Sequence, residues 1–253
     1  MTATTATASS SSADTGDPVP PSPPRRRLAR WLFGFAVAAS VMVVAVAARQ
    51  VPVFYQDRIA AGGGAPAAEQ AARRLVSDLA GLRAAVVRAG RWEAALDERD
   101  INAWLAIDLP RNHATLLPRF VSEPRIRLAP GRIDVAMRIG VGPLSTVAWA
   151  AGDLRLRGPN QLAIEIQDAG LGALPLPRGP VLAELRRRLG RAGVTISSLR
   201  LDGRSGLVVY IPASSTTGGA IHWLESLALG EGTIAFAGRT LEGGRPEAGT
   251  VSP

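Results

Sequence analysis

The sequence predicts an α+β fold: an N-terminal transmembrane helix followed by a curved antiparallel β-sheet of hairpins packed against two or three amphipathic helices. Three observations predict it. The 18 residues from Trp31 to Ala48 carry no charge. Beyond them, paired segments of alternating apolar and polar residues flank short turn sequences. Other segments carry apolar residues three and four apart, the helical period. The order strand, helix, strands, helix, strands does not suit the alternating βα units of a parallel sheet.

Residues 1–24, MTATTATASSSSADTGDPVPPSPP, hold almost nothing that a core can bury, which predicts a disordered tail; with its basic flank it spans residues 1–30. As a helix, the run 31–48 is about 27 Å long, close to the hydrocarbon thickness of a bilayer. Arg25, Arg26, Arg27 and Arg30 precede it; Arg49 and Arg58, partly offset by Asp57, follow. That bias predicts a single-pass protein of the cell membrane, with the N-terminus cytoplasmic and the C-terminal domain extracytoplasmic. Trp31 stands where an interfacial anchor belongs. Ala45–Ala47, read as AVA, resembles a signal-peptidase site, but the apolar run and the segment before it are both long for a cleaved leader.

All 29 basic residues are arginines, set against 21 acids for a net charge of +8. Arginine without lysine, in a chain rich in Ala, Gly and Pro, reads as coding bias. The arginines are scattered through the strand pattern and no nucleic-acid motif accompanies them, so nucleic acid is not expected as a partner. The chain has no cysteine, which excludes disulfides, thiolate zinc sites and a cysteine nucleophile.

AGGGAP, residues 61–66, closes an expected linker over 49–66 and opens a domain over 67–242, with a flexible tail at 243–253. Pro66 suits a first helical turn, and Leu75, Leu79, Leu82 and Val86 form one apolar stripe of a helix over 67–89 ending at Gly90. Four hairpins follow. Ile126 and Leu128 alternate with arginines, turn at Pro130-Gly131, and continue as Ile133, Val135, Met137 and Ile139, a hairpin with one wet face. The second turns at Gly158 to Asn160, the third at Gly203 to Gly206. The fourth turns at GEG, residues 230–232, with Glu225 on the parity of Trp223 and Leu227 against the pattern. Between the second and third, a helix over 180–189 sets Val181, Leu182, Leu185 and Leu189 against arginines, with Pro180 at its start and Gly190 at its end.

The segment WEAALDERDINAWLAIDLP, residues 92–110, reads as a short strand and a helix around Ile101 to Ala106. Asp97 is the expected N-cap, Asp100 the third residue of a capping box, and Glu98 favourable at the positive end of the helix dipole. Ile101, Trp104 and Leu105 face the core, and Pro110 follows the helix.

LDERDINAWLAIDLP, then hairpins, then AGLGALPLPRGPVLAELRRRL resembles the YpmS-like membrane-anchored bacterial proteins and, more remotely, LmeA-like phospholipid-binding domains. The matching residues are Ile101, Asn102 and Leu105, then Gly172, Leu174, Pro175, Leu182 and Leu185. The resemblance spans roughly residues 92–212. It implies a long sheet curled around helices, with an apolar interior suited to a lipid-like ligand, and it supplies no catalytic residue.

Other chemistry finds little support. His113 and His222 have no ligand spacing, so no metal is expected. GRSG around Ser205 lacks the nucleophile-elbow pattern, and GLGALP at Gly170 is not a dinucleotide fingerprint, so no cofactor is expected. Asp97, Glu98, Asp100 and Asp108 offer a possible acidic pair for glycoside chemistry, but two of them occupy cap positions. The expectation is a non-enzymatic extracytoplasmic domain that binds a lipid or lipophilic ligand, or serves as an envelope accessory factor. Its candidate lining is Trp104, Leu105, Met137, Trp149, Leu182 and Leu185. The alternative is a membrane-tethered structural or protein-interaction module without a small-molecule ligand.

Overall fold

The computed structural model describes residues 39–40, 42–60, 64–142, 145–201, 204–213 and 220–242. The expected tails and half of the run 31–48 (residues 31–38 and 41) lie outside the described residues. Among the described residues no helix is long and apolar enough to cross a membrane. Residues 42–49 are helical, and from Val43 onward the chain forms one compact unit.

The fold is α+β, with antiparallel strands and few helices. In chain order it comprises α1 (Val53–Ala60), α2 (Ala65–Val87), β1 (Gly90–Asp97), α3 (Glu98–Asn112), β2 (Val121–Ala129), β3 (Arg132–Ile139), β4 (Thr146–Gly158), β5 (Gln161–Leu171), β6 (Leu174–Pro175), α4 (Arg178–Arg191), β7 (Thr195–Leu201), β8 (Arg204–Tyr210), β9 (Ile221–Gly230) and β10 (Thr233–Leu241). The strands divide between two sheets instead of the expected one. A seven-stranded sheet runs β2-β3-β4-β5-β8-β7 with β6 beside β5, and a three-stranded sheet runs β1-β10-β9.

The register assigns faces. Ile126 pairs with Val135 and Leu128 with Ile133, Leu154 pairs with Ile164, and Ile164 pairs with Leu207, so these aliphatics share one face of the large sheet. Except for Leu128 and Leu207, they are only half-buried. α4 lies against β5, β7 and β8.

The other face was expected to be wet, and it is not. Asp134 and Ala136, on the charged parity of β3, are 2 % and 0 % exposed. Their cover is α1, which lies within the stretch 49–66 expected to be a linker: the wholly buried Tyr55 packs with Ala136 and Val147, flanked by Val51, Phe54 and Trp149. Eight residues show too little periodicity to announce an amphipathic helix, so only the fold reveals the cover. Asp134 tolerates burial because Arg127 and Arg132 both pair with its carboxylate.

The two sheets meet end on. β9 runs from the β4–β5 turn, where Asn160 donates its N–H to Leu224 O at 3.1 Å, to the β2–β3 turn, where Gly131 donates to Leu229 O at 3.2 Å. Asn160 takes φ +58, and its carboxamide donates to His222 O and accepts from Leu224 N–H. Glu225 is the extra residue of a bulge, since Ser226 pairs with Ala237 and Leu224 with Gly238. The parity conflict in the sequence is thereby resolved: the bulge turns an exposed Glu225 toward Arg239, 2.8 Å away.

Several boundaries differ from expectation. α3 runs through Pro110 to Asn112; the proline cannot donate to the Ala106 carbonyl, yet the ladder resumes beyond it, with His113 N–H on Leu109 O at 3.0 Å. α4 ends past Gly190, with Gly193 at φ +77 as the left-handed residue. On α2 the buried face is Ala71, Ala72 and Leu75, while Leu79 is 40 % exposed.

Candidate ligand cleft

Helix α3 organises the site. Its cap forms as the sequence predicts, with Asp97 accepting from Arg99 N–H at 2.7 Å. Asp100 does not complete a capping box. Its carboxylate instead takes the Arg74 Nε and Nη2 of α2 at 3.0 and 2.6 Å, a two-point guanidinium pair that outcompetes one backbone N–H. Those bonds hold the Arg74 guanidinium above its ordinary pKa. Glu98 and Asn102, one turn apart, face the edge of β2. Glu98 accepts Leu128 N–H at 2.7 Å and its other oxygen meets Arg58 Nε at 2.5 Å. Asn102 gives and receives a hydrogen bond with Ile126, both at 2.8 Å.

Two adjoining clefts flank this helix and share Ala106 and Arg125. The narrower, about 230 Å³, has walls of Ala68, Ala71, Ala103 and Ala106 and is bordered by Arg58, Arg99 and Arg125, with Glu98 and Asn102 between them. Glu98 is already paired, so the cleft is cationic on balance. The wider, about 400 Å³, is lined by Leu105, Pro110, Leu117, Pro118 and Val121 together with Arg119, Ser122 and Glu123. That volume lies in the range of small-molecule sites.

The predicted lining residues do not converge. Leu105 lines the wider cleft. Trp104, half-buried, packs on Ala71, Ala72 and Ala103 and lies 5.6 Å from the His113 ring. Trp149 pairs with Ala136 and Met137 with Ala148, so Trp149 and Met137 stand on opposite faces of the sheet. Trp149 donates its indole N–H to Gly172 O at 2.8 Å. Leu182 and Leu185 are half-buried on α4, which packs against β5, β7 and β8 and is a different part of the domain from α3. Sequence reasoning missed the arginines of the cleft. Their only signal is Arg99 and Arg125 flanking the Asn102 motif, which spacing alone does not single out.

Asp97, Glu98, Asp100 and Asp108, the acids considered for glycoside chemistry, do not converge. Asp97 caps α3, Glu98 and Asp100 hold arginines, and Asp108 pairs with Asn112 Nδ2 at 2.7 Å and His113 Nε2 at 3.4 Å. His222 Nδ1 lies 3.0 Å from Thr240 Oγ1. Among the described residues no three His, Asp or Glu side chains are grouped to hold a metal ion.

Comparison of the chain with protein-family models, curated proteins and solved structures found no match.

Proposed function

We propose that this protein is a single-pass, membrane-anchored domain on the extracytoplasmic side that binds an anionic amphiphile: an acyl chain in the wider cleft and its charged head among the arginines of the narrower one. The finer architecture belongs to the same reading, with residues 31–48 as the spanning helix and the long sheet curved about its amphipathic helices. The observation that carries it is the junction at Ala106 and Arg125, where an apolar lobe meets a cationic one. A lipid with a carboxylate or phosphate head has that polarity along its length. Arginine suits such a head because its planar fork makes two hydrogen bonds to one oxyanion.

The test is retention of lipid by the full-length protein. Native mass spectrometry of the detergent-purified chain is expected to show bound acyl lipid. Ala106→Trp, which fills the junction from an exposed position, and Arg125→Ala are each expected to weaken binding of a fluorescent fatty acid by roughly tenfold, about 1.4 kcal/mol. Unchanged binding in both variants, or no retained lipid, rejects the reading. A second reading, a tethered protein-interaction module, is favoured by the exposed Val76 and Leu79 on α2. It becomes the better one if no lipid is retained while Val76→Asp abolishes capture of a partner.

A further inference from the structure

The chain enters the folded unit at one end of the large sheet. Ala47 O accepts from Ala173 N–H at 2.8 Å, and Ala48 O accepts from Thr146 Oγ1. Gly172, at φ +58, lies so close that a Cβ there would stand 2.4 Å from Ala48 O. The last carbonyls of helix 42–49 are thus received by the first residue of β4 and the turn after β5. These contacts tie Ala47 and Ala48 to the edge of the large sheet.

The same end carries the start of β2 and the end of β3: Val121 pairs with Ile139, which pairs with Thr146, and Gly140 N–H bonds Phe120 O at 2.8 Å. Here the apolar side chains face outward. Among the described residues of the unit, the most exposed large apolar ones are Val141 at 76 %, Val53 at 74 %, Val87 at 70 %, and Val43 and Leu116 at 67 %. Val53 begins the helix that follows the exit, Val43 lies one turn before it, and Leu116 lies in the segment leading into β2. Phe120 adds a half-exposed ring at 50 %. Val87 alone is elsewhere, next to Val86, whose carbonyl receives Thr240 beside the β9 edge that Asn160 holds at the opposite end. Outward apolar side chains gathered at one end of a domain mark an interaction surface.

We propose that this end, with Phe120 and Val141 as its tips, sits in the headgroup and acyl boundary of the bilayer from which helix 42–49 emerges. The proposal rests on the reading of residues 31–48 as a membrane anchor. That helix fixes the occupant: its exposed Val43, Val44 and Val46 continue the uncharged run, and two hydrogen bonds hold its end against this rim. Exposed Arg49 and Arg119 border the rim and complement anionic headgroups. One consequence concerns the ligand. Leu117, Pro118, Arg119 and Val121, which lead into β2 beside Phe120, also wall the wider cleft, so an acyl chain passes from bilayer to cleft without crossing water.

The chain has no cysteine, so a single introduced cysteine is a unique label site. Full-length Val44→Cys, Phe120→Cys, Val141→Cys and Val87→Cys, each carrying an environment-sensitive fluorophore, are reconstituted in vesicles of phosphatidylcholine and phosphatidylglycerol with or without doxyl-labelled lipid. Labels at 44, 120 and 141 are expected to shift to the blue and to be quenched by doxyl, and the label at 87 to emit as in water. If position 44 is quenched while 120 and 141 emit as in water, the rim proposal is overturned and the anchor stands. If position 44 itself is unquenched, both fall. Blue-shifted but unquenched labels at 120 and 141 mean that protein covers the rim, which also overturns the proposal.

Discussion

The carboxamide of Asn102 stands in for a neighbouring strand. Its Nδ2 donates to Ile126 O and its Oδ1 accepts from Ile126 N–H, both at 2.8 Å. An exposed sheet edge otherwise offers such groups to any passing chain. One turn earlier, Glu98 takes Leu128 N–H. Asn160 repeats the device on β9, with Leu224 N–H and His222 O as its partners. Both asparagines are at least nine-tenths buried, so their carboxamides are largely withdrawn from water.

Asn102→Ala is therefore expected to leave one buried donor and one acceptor unpaired and to cost roughly 2–4 kcal/mol. Asn102→Asp should cost more than the loss of one donor, because it also sets a second acid near Glu98. Urea unfolding of the full chain in detergent, followed by tryptophan fluorescence, checks that both variants fall below wild type. A cost below about 0.5 kcal/mol for Ala would mean that water enters the edge.

At Asp134 the partners are unequally buried, and this decides which deletion hurts. The carboxylate is 2 % exposed, while the side chains of Arg127 and Arg132 are 39 % and 36 % exposed. Asp134→Asn leaves arginines that water can solvate and is expected to cost about 1–2 kcal/mol. The double substitution of Arg127 and Arg132 by Met strands a buried charge and should cost about 3–5 kcal/mol. Equal costs in denaturant titrations would show that the arginines stabilise by packing alone; Arg127 already lies 5.0 Å from the Phe54 ring.

How far the sequence disclosed this fold depended on whether the signal was local. Alternation in 125–139 and 146–166 marks the hairpins because each strand states its own parity, and Asp97 announces a cap because capping needs only its two following residues. Signals set by distant partners were not readable. Asp100 looks like a capping-box residue until Arg74, 26 positions earlier, is folded against it. α1 looks like linker because its burial depends on β3 and β4. The cleft was legible only at Leu105; its arginines converge from α1, α3 and β2, and no spacing links them.

Tyr55 gives the protein a limit at high pH. Its hydroxyl donates to Glu123 O at 2.9 Å, and burial first, then the Glu123 charge, pushes its pKa from 10.0 to about 12. The folded state therefore keeps the proton longer than the unfolded chain does. The stabilisation is fully present below pH 10 and is lost as pH rises through 12. The total is at most about 3 kcal/mol, less to the extent that solvent screens the phenolate. Tyr55→Phe should lower stability at neutral pH through the lost hydrogen bond, yet flatten its fall between these limits. Denaturant midpoints measured across the alkaline range would contradict this if both proteins lost stability in parallel.

Two of the register shifts, at Gly238 and at Gly152, make a prediction about glycine. At Gly238, opposite the Glu225 bulge, an added Cβ would lie 2.0 Å from Trp223 O and 2.4 Å from Trp92 Cζ2. Gly152, where β4 and β5 slip past Gln167, would bring a Cβ to 2.2 Å from Glu165 O. Carbonyl oxygens in a ladder cannot rotate aside as a side-chain tip can, so the strands themselves must part. Gly238→Ala and Gly152→Ala are each expected to cost about 2–3 kcal/mol or more. Gly179→Ala, in the first turn of α4 with nothing within 4 Å of the new carbon, should be neutral or stabilising by up to about 1 kcal/mol. Deleting Glu225 separates bulge from contact: it restores a regular ladder with every other pair in place, so it should cost less than Gly238→Ala. If the deletion proves the more damaging of the two, the bulge is needed for the twist of β9 along the end of the large sheet, and not merely tolerated there.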